Sequence, residues 1–413
     1  MKLFFYNCLI LILLPFMVIR IFLKSLKDKD YIKNLKNRFG IYGEEPQESP
    51  IWFHAVSLGE VISSQPLVNK ILKKDNIVLS VSTPTGLREA RKIYQNKLQI
   101  VYAPWDFVVF VDRFLNHFNP KALILFETEI WPIFINSSSK RNLPIILSNA
   151  RLSESSFKRY KSLKFFIKDI LSLFSIILVQ SKKHALRFEA IGANKEVIHE
   201  VGSVKFDSVI QDDKPQLTNN MEKDFILATS THEGEDEIII DSFIEIRKEL
   251  TGIKMVIVPR HPERSKSISD ILSKNKIKNE IYKDLPKAFN ENEVIVIGQT
   301  GLLNELYQMA KVSLIGGSLK SKYGGHNIIE AASNMCSFIV GPYMRNFEDI
   351  LDLFISEDAC IKLNNPNELS LAFRKLLDND LLRKDMVDKA LKVINENKGS
   401  TKKQFEYIKN ILK

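Results

Sequence analysis

At roughly 100 to 200 residues per domain, a chain of 413 residues is too long for one ordinary domain and should hold two. Apolar residues make up 45%, charged residues 26%, and only 31 positions are glycine or proline, a composition that excludes collagen-like and low-complexity classes. The net charge of +10 favours acidic partners such as phosphates, nucleic acid or anionic lipid, while three cysteines (Cys8, Cys336, Cys360) with no CxxC or Cys/His grouping argue against a disulfide framework or a structural zinc site and for a reducing compartment.

The first predicted element is an apolar helix. Leu3 to Ile19 are apolar except for Asn7, and Ile21 to Leu23 carry the run past Arg20. About twenty such residues form a helix of roughly 30 Å, just enough to cross a bilayer. Arg20 to Arg38 then hold seven basic residues against Asp28 and Asp30, half of the net charge, whereas only Lys2 and the amino terminus precede the run. By the positive-inside rule the rest of the chain stays cytoplasmic. A cleaved signal peptide disagrees with this order of charges and with the missing A-x-A site. Pro15 and Asn7 weaken a clean span, and Arg20 and Lys24 could snorkel, so a helix lying in the interface is the other reading; both give an anchor at residues 1–24 and anionic lipid as a partner.

Short β-branched runs at Ile51 to Phe53, Ile77 to Val81, Ile100 to Tyr102, Ala122 to Phe126, Ile145 to Leu147, Ile176 to Val179 and Val197 to Val201 read as strands. Helical patterns lie between them at Val61 to Leu72, Thr85 to Tyr94, Phe107 to Phe118, Trp131 to Lys140 and His184 to Ile191. Polar residues around Pro215 mark a linker at 211–223, after which strands recur at Phe225 to Ala228, Lys254 to Val258, Val294 to Ile297, Val312 to Ile315 and Ser337 to Val340. The expected fold is α/β: two Rossmann-like domains at 25–210 and 224–395 facing across a cleft, with a closing helix at 396–413 packing the rim or crossing back to the first half. In such sheets ligands bind beyond the carboxyl ends of the strands.

Four constellations follow strands. His54-Ala55-Val56-Ser57-Leu58-Gly59-Glu60 makes a strand-to-helix turn in which Glu60 can take a proton from a hydroxyl, with Ser57, Gly59 and the helix amides near an anion or hydroxyl; equally, Glu60 can cap the helix and His54 can be a satisfied buried residue. Glu127 and Glu129 either form one wall of an acceptor site or, for Glu129, complement the next helix's N-terminus; Arg151 either binds phosphate or pairs with a carboxylate. Ser230-Thr231-His232-Glu233-Gly234-Glu235 and Pro259-Arg260-His261-Pro262-Glu263-Arg264 suit a phosphate leaving group, or are a surface ion-pair cluster; neither has metal-ligand spacing. Gly316-Gly317-Ser318 and Gly324-Gly325-His326-Asn327-Ile328-Ile329-Glu330 permit close backbone approach to phosphate or sugar. With a helix starting near Asn327, Asn327 and Glu330 share one face and Glu330 can take both ribose hydroxyls; glycine turns plus a capping pair are the alternative. No Gly-Lys-Ser/Thr of a P-loop is present.

These segments, with Ser82-Thr83-Pro84-Thr85-Gly86, Asn149 to Ser153 and Val201-Gly202-Ser203-Val204-Lys205-Phe206-Asp207, are collinear from the N-terminus to about Phe347 and closely resemble the 3-deoxy-D-manno-oct-2-ulosonic acid (Kdo) transferases of lipopolysaccharide synthesis, membrane-anchored glycosyltransferases of the GT-B fold. The resemblance implies CMP-Kdo as donor, the tetraacylated disaccharide bisphosphate precursor of lipid A as acceptor, direct inversion, and residence at the cell inner membrane with no cofactor and no metal. By the same resemblance Glu60 is the general base, the Ser57 to Glu60 turn faces the acceptor hydroxyl, and Glu330 with Asn327 holds the cytidine ribose. Arg260 and the Ser230/Thr231 turn contact the CMP phosphate, and Lys205 helps neutralise the donor's phosphate and Kdo carboxylate. Gly317, Ser318, Gly325 and His326 complete the expected donor set, and Glu127, Glu129 and Arg151 the acceptor set. One departure is Gly298-Gln299-Thr300-Gly301, where the family often has Gly-Asp-Thr-Met-Gly. Other readings are a UDP-sugar GT-B transferase or epimerase, or an inactive membrane-tethered glycolipid-binding protein. Nucleic acid is not an expected partner, because much of the charge lies beside the anchor and no aromatic-basic module appears.

Overall fold

A computed structural model of the chain describes residues 2–208, 225–286 and 288–412; the predicted linker at 211–223 lies outside the described residues. The chain divides into two units, Met1–Ser208 with Lys398–Lys413, and Val209–Asn397.

The first unit holds seven strands, β1 (Ile51–His54), β2 (Ile77–Val81), β3 (Gln99–Tyr102), β4 (Ala122–Phe126), β5 (Ile145–Ala150), β6 (Ile176–Val179) and β7 (Ile198–Glu200), in the order β3-β2-β1-β4-β5-β6-β7. Every pairing is parallel. The runs are almost continuously apolar because helices cover both faces of such a sheet. Successive side chains alternate between two cores: Trp52 joins Phe114, Leu123 and Phe134 on one face, while Ile51 and Phe53 join Val61, Leu67 and Ile124 on the other.

The second unit repeats the plan with β8 (Phe225–Thr231), β9 (Lys254–Pro259), β10 (Asn279–Tyr282), β11 (Val294–Ile297), β12 (Val312–Ile315), β13 (Phe338–Val340) and β14 (Ile361–Lys362), ordered β10-β11-β9-β8-β12-β13-β14 and parallel throughout. β10 and β14 were not expected from sequence. Both are edge strands without a fully buried residue, so neither carries the apolar run that marks an interior strand. Helices Glu154–Ser162 and Lys164–Leu171 were also not expected, and the first buries none of its residues.

Strand order reverses between β1 and β4 in one sheet and between β8 and β12 in the other. Chain leaving neighbouring strands there departs in opposite directions, opening a crevice at the carboxyl ends. All the segments singled out after β1, β4, β8 and β12 lie at these two switch points.

The last helix, Ser400–Ile411, belongs to the first unit. Ile408 enters the core beside Phe53 and Ile124. Gln404 accepts from Ser148 Oγ at 2.6 Å and from the Asn149 amide at 2.9 Å, and Asp207 accepts from the Gly399 and Thr401 amides at 2.8 and 2.6 Å.

The N-terminal helix, Lys2–Ser25, is long and apolar enough to cross a membrane. It packs lengthwise on its own unit. Lys2 pairs with Asp169 at 2.7 Å, Tyr6 Oη donates to Asp106 at 2.8 Å, and Asn7 Oδ1 accepts from the Val108 amide at 3.1 Å. Nearer its C-terminus, Leu14, Met17, Val18 and the buried Ile21 pack around Trp105 and Phe110.

Candidate active site

Helix Leu58–Ile71 begins three residues earlier than its apolar periodicity indicates, because Ser57 caps it and Glu60 falls in its first turn. Ser57 Oγ donates to Glu60 Oε1 at 2.8 Å, and the Val56 amide donates to Glu60 Oε2, also at 2.8 Å. Glu60 is therefore a cap, as one reading had it, yet that is not all it is. Burial, then the charges of Glu129 and Glu127, push its carboxyl up to about 8, against the opposing amide and hydroxyl. A group poised there exchanges a proton near neutral pH. Gly86 explains the neighbouring Ser82 to Gly86 segment: a Cβ at Gly86 would lie 3.2 Å from the Ser57 carbonyl carbon, so glycine lets the next helix press against the Ser57 turn.

Beyond β4 the chain turns sharply. Glu127 has φ +64, in the left-handed region, so the segment after β4 is a turn rather than extended chain, and both Glu127 and Glu129 lie near enough to Glu60 to act on its charge. Glu127 is buried, a circumstance that raises its pKa, but Lys205 at 3.1 Å and Arg151 at 3.0 Å outweigh this and hold it below the ordinary carboxylate range. Arg151 thus takes the carboxylate-pairing role of its two readings. Lys205, expected among the donor-binding groups, stands in the first unit beside Glu127, where the Val204 amide is fixed by Asn149 Oδ1 at 3.2 Å. Glu129 accepts from the Trp131 indole at 2.6 Å, and burial pushes its carboxyl up to about 7. It does not serve the following helix; the Ile133 and Phe134 amides donate instead to buried Asp106, at 3.1 and 2.9 Å. His54 is wholly buried, with Nδ1 2.8 Å from Ser80 Oγ, and burial lowers it to about 3. It is a core histidine. Gly59 has open space around its Cα.

In the second unit, Glu235 is wholly buried and accepts from the amides of Gly317 (2.7 Å), Leu319 (2.8 Å) and His232 (2.9 Å), tying the loop after β8 to that after β12. Several expected ligand groups are engaged in the same fabric. Thr231 is buried and donates to Asp236 at 2.8 Å, with Arg264 on the other oxygen of that carboxylate. Ser318, also buried, donates to the Ile315 carbonyl and accepts from the Gly341 amide at 2.8 Å. Gly325 donates to the Gly317 carbonyl at 2.7 Å, and at φ +80 a Cβ there would lie 2.2 Å from Met344 Sδ. These residues shape the loops, the proton of each hydroxyl being committed inside the protein, to Asp236 from Thr231 and to the Ile315 carbonyl from Ser318.

Less buried are two histidines and an arginine. Nε2 of His232 lies 2.8 Å from Nε2 of His326, so one imidazole donates to the other, and Tyr323 stacks on His232 at 4.0 Å. Burial first, then neighbouring cations including Arg260, lower both histidines to about 4 and keep them neutral. Arg260 is exposed and has no ion-pair partner among the described residues. Ser230, at φ +52, is half-buried beside it. The helix at Ile329–Ser333 starts two residues later than expected, so Asn327 precedes it, capping the Ile329 amide with Oδ1 (3.1 Å) while its amide group donates to Glu330 at 3.0 Å. Burial raises the Glu330 carboxyl, opposed by Asn327 and Arg260. Glu235, His232 and Tyr323 were not assigned roles from sequence; Glu235 lies 82 residues from Gly317, and no local pattern announces such a pairing.

Two parallel seven-stranded α/β units with their polar loops at the switch points make the fold of the GT-B glycosyltransferases and their relatives. A glycosyltransferase from Rickettsia africae superposes with a TM-score of 0.56 at 14% identity, over 89% of this chain and 100% of that one. A UDP-GlcNAc 2-epimerase from Neisseria meningitidis does so with 0.57 at 14%, over 84% and 99%. Within that fold the sequence is more specific. Residues 33–208 match the family model of 3-deoxy-D-manno-octulosonic-acid transferase (kdotransferase). The chain is 32% identical to the 3-deoxy-D-manno-octulosonic acid transferase of Haemophilus influenzae, over 99% of this chain and 98% of that protein, and 32% identical to that of Rickettsia bellii over 95% of each. The chain belongs to the Kdo transferase family and is a glycosyltransferase.

Proposed function

We propose that the chain transfers Kdo from CMP-Kdo to the tetraacyldisaccharide bisphosphate precursor of lipid A, with inversion, at the cytoplasmic face of the inner membrane. The observation that carries this reading is Glu60: a buried carboxyl at the β1/β4 switch point, raised to about 8 while neighbouring Glu127 is kept ionised by Lys205 and Arg151. A base that titrates near neutrality accepts a hydroxyl proton in the transition state and can return it to solvent.

The acceptor oxygen bonds to the anomeric carbon of Kdo as that carbon's bond to the CMP phosphate oxygen breaks, on the opposite face. The acceptor's proton passes to Glu60, and the electron pair leaves with CMP. Charge develops on the phosphate, for which Arg260 and the His232/His326 pair supply positive and donor groups; Glu330 and Asn327 suit a ribose. Ser57 orients Glu60, and the Glu127, Arg151 and Lys205 cluster forms the polar wall on the acceptor side.

Incubation with CMP-Kdo and the tetraacyl precursor should release CMP and yield a lipid heavier by whole Kdo units in mass spectrometry. Consumption of a UDP-sugar but not of CMP-Kdo would overturn the donor assignment.

A further inference from the structure

We propose that helix Lys2–Ser25 lies flat in the interface of an anionic bilayer, as an in-plane anchor, and does not cross it; this rests on the membrane residence proposed above. From Lys2 to Ile21 is roughly 28 Å of helix, about the thickness of the hydrocarbon layer. Polar groups of the folded unit hold that helix at one end, through Lys2 to Asp169, Tyr6 to Asp106 and Asn7 to Val108, while Trp105 and Phe110 hold it at the other, at Ile21. A crossing helix would have to drag these charged and hydrogen-bonded partners through hydrocarbon or abandon them all.

The face turned away from the unit fits an in-plane role. Phe5, Leu9, Ile12, Phe16, Ile19 and Leu23 recur every three or four residues and are exposed by 52% to 67%. This continuous stripe lies opposite the packed face. It is extended by Phe165, 79% exposed, whose ring carries Lys2 Nζ at 3.1 Å from its centroid. Charge complementarity names the occupant. Asp28 and Asp30 are both taken by Arg88, and Lys33 also pairs with Asp30, while Arg20, Lys27 and Lys29 are exposed and without an ion-pair partner among the described residues. An apolar stripe bordered by uncompensated cations fits acyl chains beneath anionic headgroups.

Depth-dependent quenching tests this on the full chain. Phe5→Trp, Ile12→Trp, Leu23→Trp and Phe165→Trp are each mixed with vesicles of phosphatidylethanolamine and phosphatidylglycerol carrying brominated lipids, and the signal of the native tryptophans is subtracted. All four probes should quench at one common shallow depth, and binding should weaken at least tenfold on phosphatidylcholine vesicles. A deep Ile12→Trp between shallow Phe5→Trp and Leu23→Trp would mean a span and overturn the proposal, as would no quenching at any position. Kdo transfer to detergent-dispersed acceptor, measured on the same preparations, reports separately on the catalytic reading.

Discussion

The two units build on one sheet plan and place their polar loops at the same topological point, yet stock it with opposite chemistry. After β1 and β4 stand the buried carboxyls of Glu60 and Glu127 and the half-buried one of Glu129, of which two are raised and one is held down by Lys205 and Arg151. After β8, β9 and β12 stand glycine turns clasped by Glu235, two histidines kept neutral by burial and cations, and an exposed arginine. On the reading proposed above, the first arrangement would manage a proton and the second would receive an anion. That division is what a transfer reaction with an alcohol on one side and a nucleotide phosphate on the other requires.

The sharpest way to break this contrast is at Glu60. Glu60→Gln should lower kcat by on the order of 10² to 10⁴ while leaving CMP affinity unchanged, and wild-type turnover should climb as pH rises towards about 8 before levelling; pH-rate profiles of both proteins check this. Unchanged turnover would remove the proton role from the first unit. Next in size, Glu235→Ala leaves three amides without their acceptor and should cost on the order of 3 kcal/mol in denaturant unfolding, with CMP binding falling alongside. Glu330→Ala should weaken CMP by roughly tenfold in calorimetric titration without moving the affinity for acceptor; an unaltered CMP affinity would shift the nucleotide elsewhere.

The smallest expected effect is in stability against pH, where the Glu60/Glu129 carboxyls and the His232/His326 pair should differ in sign. Glu60 and Glu129, raised in the folded state, bind more protons folded than unfolded from their ordinary range up to about 8 and 7, so their contribution falls as pH rises through that window. His232 and His326, lowered to about 4, bind fewer protons folded, so theirs falls as pH drops from about 6.5 towards 4. Thermal melts should show Glu60→Gln gaining on wild type by at most about 1.4 kcal/mol per pH unit between pH 6 and 8, and His326→Gln losing less than wild type at pH 5. Parallel curves for either variant and wild type would mean that its site is not perturbed in the way described.

Much of the fold was legible because interior parallel strands are apolar on both faces, and runs such as Ala122 to Phe126 are short and bounded enough to read as strands. The edge strands β10 and β14 were not, since half of their environment is solvent. In the site, Glu60 and Glu330 could be singled out because a carboxylate beside a glycine or a cap at a strand end is a local pattern. The roles of Thr231, Ser318 and Lys205 could not be read that way. Each depends on a partner, Asp236, Gly341 or Glu127, brought near by folding, and the same hydroxyl or ammonium serves a ligand or a neighbour according to which is within 3 Å or so.

The sequence by itself determined the strand-helix alternation, the two-unit plan, the family and an apolar N-terminal helix followed by basic charge, since all of these are written in periodicity and in the order of residues along the chain. Only the tertiary structure decided that Glu60 is raised by burial and then by Glu129 and Glu127, that Glu127 is not raised, and that the N-terminal helix is fastened at both ends to its own unit. Proton affinity and docking depend on distance and desolvation, and residues a hundred positions apart acquire those only when the sheet order sets them side by side.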